Sequence, residues 1–138
     1  MNRKSVPLCF SIVLLMAIGL VAGEAPTFAG EYADRKFLNG QAVFQMSLEQ
    51  SGGIVSVWFS AGKNDGSGAA PEAQETGKVS GKGVLEFKFE DSFNNAGTGT
   101  ITRNGDGVTV SLKTTRVTEP RCLEFYQQNM HLKHVGKK

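Results

Sequence analysis

The chain is 138 residues long with a formal net charge of +2, from 15 Lys+Arg and 13 Asp+Glu, and it contains two cysteines, 17 glycines and one tryptophan. This length allows one hydrophobic core and no more. The excess charge belongs to Arg3 and Lys4, so no basic block suggests nucleic acid or an anionic membrane; Lys137-Lys138 read as a solvated terminus.

Residues 1–23 divide as an export signal does. Arg3 and Lys4 form a positive start, Leu8–Val21 is almost wholly apolar, and small residues follow. Val21 and Gly23 place a cut before Glu24; Thr27 and Ala29 offer a second option before Gly30. The rival is a retained anchor, but an apolar run of about 14 residues at 1.5 Å per residue falls short of a ~30 Å hydrocarbon core. Cleavage is the expectation, leaving no membrane span and placing the domain in the periplasm or outside the cell. Cys9 opens the apolar run, whereas a lipid-bearing cysteine would follow it. The mature domain, 24–138, is then charge-balanced, with 13 residues of each sign.

Removing the leader also leaves Cys122 alone, which excludes a disulfide scaffold. It reads as a buried small residue, a free thiol or an intermolecular bridge, the first being the common fate of an unpaired cysteine.

Along the mature chain, glycines punctuate short apolar runs, as antiparallel β-structure requires. Gln41 to Gln50 alternates, with Ala42, Phe44, Met46 and Leu48 on one face. Ser51-Gly52-Gly53 turns the chain into Ile54 to Ala61, with Val55, Val57 and Phe59 inward and Trp58 opposite. Residues 62–74 read as the longest irregular stretch, with a short strand at Lys78 to Ser80. Val84 to Glu90 carries Leu85, Phe87 and Phe89 inward; a turn over Asp91 to Gly97 leads to a strand from Thr98 to Arg103. Asn104-Gly105-Asp106-Gly107 is the strongest turn signal. Val108, Val110 and Leu112 line the next strand. Thr118-Glu119-Pro120 opens a helical insert of one or two turns, and Asn129 to Val135 closes as a strand.

This predicts an all-β domain: a small antiparallel up-and-down barrel, or a two-sheet sandwich, of seven to eight strands with one helical insert near the C-terminus. In architecture such a domain resembles lipocalin-like carriers and periplasmic lysozyme inhibitors. Neither family's motif is present, so no functional residue carries over.

Chemistry-bearing motifs are sparse. His131 and His134 point to opposite faces of a strand with no third ligand, which gives no metal site. Asn64-Asp65-Gly66-Ser67-Gly68 faintly resembles a calcium loop but lacks its closing acid. Glu90-Asp91 reads as a solvated turn, and Gly97-Thr98-Gly99 as a bulge or barrel corner. No cofactor is indicated. Trp58 either lines a ligand surface or, with a one-residue slip, joins the core. Arg116, Arg121 and Tyr126, around the insert, are recognition-type residues or serve to close the fold against Glu119 and Glu124. The expectation is a non-catalytic binding protein of the bacterial envelope recognising another protein in an inhibitor, immunity-type or accessory role. Its candidate ligand-binding residues are Trp58, Arg116, Arg121 and Tyr126, and residues 62–74 its contact element. The alternative is a lipocalin-like carrier of a small apolar ligand.

Overall fold

The computed structural model describes residues 27–136. The leader, 1–23, and its first cleavage site lie outside the described residues. Eight antiparallel strands follow in chain order: β1 Gly30–Lys36, β2 Ala42–Ser51, β3 Ile54–Lys63, β4 Glu72–Val79, β5 Leu85–Glu90, β6 Ala96–Asn104, β7 Gly107–Arg116 and β8 Met130–His134. Each pairs with the next, and β8 also pairs with β1 through Tyr32↔His134 and Ala33↔Lys133. That last pairing closes the sheet. Among the described residues the protein is all-β, a closed eight-stranded meander barrel rather than a sandwich, with a helical turn at Phe37–Gly40 and a short 3-10 helix, Pro120–Phe125, near the C-terminus.

The alternation in the sequence places the core. Phe44, Met46, Leu48, Val55, Val57, Phe59, Leu85, Phe87, Phe89, Val108, Val110 and Leu112 are all buried, at 5% exposure or less. Each such side chain contributes about 1.5–3 kcal/mol through burial. Phe44 stacks on Phe59, Phe59 meets Phe89 edge-on, and Phe37 stacks on Phe125. These rings fill the barrel interior. Outward positions carry Ser, Thr, Gln, Glu and Lys, the reverse of a barrel that faces lipid. Among the described residues no helix is long and apolar enough to cross a membrane.

Two hairpins are as tight as their sequences require. Ser51 pairs with Ile54 around Gly52-Gly53, and Asn104 with Gly107 around Gly105-Asp106. Gly52 and Gly105 sit at φ +62 and +64, where a Cβ is costly.

One expected strand boundary shifts. The irregular stretch is shorter than 62–74, running over 64–71: β3 runs on to Lys63 and β4 begins at Glu72. The loop left between them is pinned rather than loose. Asn64 N–H donates to the Gln41 carbonyl, Ala61 N–H to the Pro71 carbonyl, and Ala69 and Pro71 are buried. Glycine, Ala and Pro hid the strand ends because cross-strand pairing, not side-chain propensity, forms them. β1 gave no signal either, since in GEYADRK only Tyr32 and Ala33 are apolar.

Between β4 and β5 the ladder is short, with Lys78↔Glu86 and Val79↔Leu85 as its pairs. Towards the far end side chains replace it. Glu90 N–H donates to Glu75 Oε2, and Glu72 N–H to Ser92 Oγ.

Candidate functional site

Trp58 lies on the outer face of β3. Its neighbours Val57 and Phe59 are fully buried inward, while its own side chain is half-buried. The register supplies its surroundings. Ser47 on β2 and Gln74 on β4 sit directly beside it. Gln45 and Glu49 on β2, and Glu72 and Thr76 on β4, occupy the diagonals, within reach of an indole ring. Glu31 on β1 is the cross-strand partner of Ser47.

The groove this makes has a volume of about 370 Å³. Two hydrogen bonds hold its parts: Trp58 Nε1–H donates to Glu72 Oε2 at 2.7 Å, and Ser47 Oγ–H donates to Glu31 Oε2 at 2.8 Å. The ring is therefore fixed on a paired sheet, at small entropic cost to a partner. None of the groove's lining residues is basic. Among the described residues, Glu31, Glu49 and Glu72 form no salt bridge.

The other three candidates gather at one end of the barrel, and β7, which bears Arg116, is four strands from β3 in the closed order. The structure does not bring them to Trp58. Arg116 ion-pairs with Glu90 at 3.0 Å and donates to the Asn94 carbonyl. Arg121 folds back on Glu119 through its own N–H and its guanidinium. Tyr126 packs its ring on Phe59 and Phe89 and donates its hydroxyl to Asp91. Burial and that carboxylate push the Tyr126 phenol well above its ordinary value.

Asp91 corrects the sequence reading, which placed it in a solvated turn. It is 4% exposed. Its carboxylate accepts from Phe93 N–H, Asn95 N–H, the Asn95 side-chain amide and the Tyr126 hydroxyl. Asn95, fully buried, accepts in turn from Thr118 N–H and Glu119 N–H at 2.7 and 2.8 Å. The set ties the β5–β6 loop to the segment carrying the 3-10 helix, so its polar groups are spent on closing the barrel. Cys122 lies in the same end, a free and fully buried thiol. Burial foremost, then the Asp91 charge, raises its pKa from 9.0 to about 11. A thiol so placed stays protonated and is a poor nucleophile at neutral pH.

The histidines are apart, as the strand reading expects. His131 Nδ1 hydrogen-bonds with Thr109 Oγ1 on the outer face, while His134 meets the Tyr32 ring edge-on. Asp65, in the calcium-like stretch, accepts at Oδ1 from the Ser67 N–H and hydroxyl, which lowers its pKa. A second groove, of about 570 Å³, lies over the β4–β5 seam, but Lys78 and Lys88 offset Glu75 and Glu86 in its lining.

Sequence reasoning missed Glu31 and Glu72 as companions of Trp58. Glu31 lay on an unread strand and Glu72 in what read as a loop, so only the register reveals them. Comparisons with protein-family models, with curated proteins and with solved structures returned no match to the chain.

Proposed function

We propose that this chain is an exported, non-catalytic binding protein of the bacterial envelope, periplasmic or secreted, that recognises another protein through the outer face of its barrel. The observation that carries this reading is Trp58: the single tryptophan, held by Glu72 on a polar strand face while aromatics fill the interior. Tryptophan is the residue most enriched in binding hot spots, and a rigid sheet presents it at low cost. The carrier reading requires interior space; here Phe44, Phe59, Phe87, Phe89 and Phe125 occupy it. The buried, protonated Cys122 and the separated histidines argue against nucleophilic chemistry.

Two measurements test this. Wild-type protein immobilised in envelope extract should retain one specific protein, and Trp58→Ala, folded by circular dichroism, should not. Native mass spectrometry of gently purified protein should give the bare mass of the chain. A co-purified lipid or pigment would favour the carrier and sink the proposal.

A further inference from the structure

The geometry points to a partner that presents a cluster of Lys or Arg side chains to the Trp58 face; this rests on the protein-recognition reading above. The six outward neighbours of Trp58 set by the register are Ser47, Gln74, Gln45, Glu49, Glu72 and Thr76, and none is basic. With Glu31 one strand further on, three carboxylates surround the ring, and no ion pair within the described residues neutralises them. The opposite wall differs: Lys88 pairs across to Thr98, Thr98 to Lys113, and Glu90 is bridged to Arg116. A chain with a net charge of +2 is thus acidic on the outer face that also displays its tryptophan.

Two interactions converge there on a cation. A guanidinium or ammonium over the indole face gains the cation–π attraction. Glu49, two residues beyond Ser47 on β2, accepts its N–H groups, with bidentate geometry available to arginine, and Glu31 adds the carboxylate oxygen that Ser47 does not hold. Glu72 is half-committed, because its Oε2 already accepts the indole N–H. An uncharged glycan is the competing occupant of an exposed indole, but it makes no use of unpaired charge. Charge complementarity therefore selects the basic protein segment.

The test uses the purified mature chain, hexa-arginine peptide as probe and hexaglutamate as control, with Trp58 emission as the readout. Hexa-arginine should give a saturable change that weakens steeply with added salt, and hexaglutamate none. The pair Glu31→Gln/Glu49→Gln should lose about tenfold in affinity. The pair Glu86→Gln/Glu90→Gln, which removes the same charge from the other side, should lose less than about twofold. Equal losses in the two pairs, no saturable change, or a salt-independent response to an uncharged chitin oligosaccharide in place of the peptide would overturn the inference. A captured protein whose binding falls with Trp58→Ala yet ignores Glu31→Gln/Glu49→Gln would also overturn it, while leaving protein recognition intact. Peptide binding as expected, with no protein retained from extract, would instead remove the protein-recognition reading.

Discussion

At Gly97 and Gly99 the barrel wall leaves no room for a side chain. Both face inward on β6, and the rings of Phe89 and Phe87, their cross-strand partners, fold over them. A Cβ at Gly97 would also collide with the Lys113 carbonyl, beside the bulge between Ala96 and Gly97. Gly97→Ala should therefore cost about 1–3 kcal/mol, as overpacking does, in a urea titration. An unchanged midpoint would mean the bulge can slide. Phe28 makes the converse case at the opposite end of the barrel. It is fully buried, Tyr32 donates its hydroxyl to the Phe28 carbonyl, and Gln50 accepts the Phe28 N–H. Phe28→Ala should cost about 3–5 kcal/mol. The same packing makes a cut before Gly30 destructive, so the proposed export predicts an intact mass for a chain starting at Glu24 rather than Gly30. Cys122 adds a pH signature. Its raised pKa means the fold holds the protonated thiol, so that contribution is complete below pH 9.0 and is lost as pH rises towards about 11. The urea midpoint should fall over that window, less so in Cys122→Ala, and Ellman's reagent should label the native thiol only as fast as the protein opens.

Among the elements, the segment with the 3-10 helix depends on the β5–β6 loop. Asn95→Ala would leave Thr118 N–H and Glu119 N–H without acceptors and strip one donor from Asp91. The expected loss is about 2–4 kcal/mol, with faster hydrogen exchange at Thr118 and Glu119 than elsewhere; uniform exchange would show that the segment holds on by packing alone. The β3–β4 connection behaves differently from its sequence. Deleting 62–74 would remove paired residues of both strands, so only 64–71 is available for shortening. What was legible follows from this contrast. Strands with strict alternation, such as Ala42–Ser51 and Leu85–Glu90, announce both their existence and their inward face. Strands such as Gly30–Lys36 and Glu72–Val79 are held by neighbours on each side and carry little pattern of their own. Trp58 and its outward direction were readable from β3 alone. Its acidic surroundings were not, because Glu31 and Glu72 reach it only through a register that links four strands.

For the whole molecule, closure and filling decide where recognition can occur. The ring of eight strands is closed among the described residues, with its shortest ladder between β4 and β5, and the aromatic interior leaves the outer wall and the ends. At one end, Arg116, Arg121 and Tyr126 are engaged by Glu90, Glu119 and Asp91. The carboxylates of the wall at Trp58 form no ion pair among the described residues. The most direct measurement is the affinity of the captured partner for Trp58→Ala and Arg121→Ala side by side. The outer-face account predicts a loss of about 30-fold or more for Trp58→Ala, the scale of a hot-spot residue, and little change for Arg121→Ala. Loss at Arg121 with none at Trp58 would contradict it and move the binding surface to the capped end of the barrel.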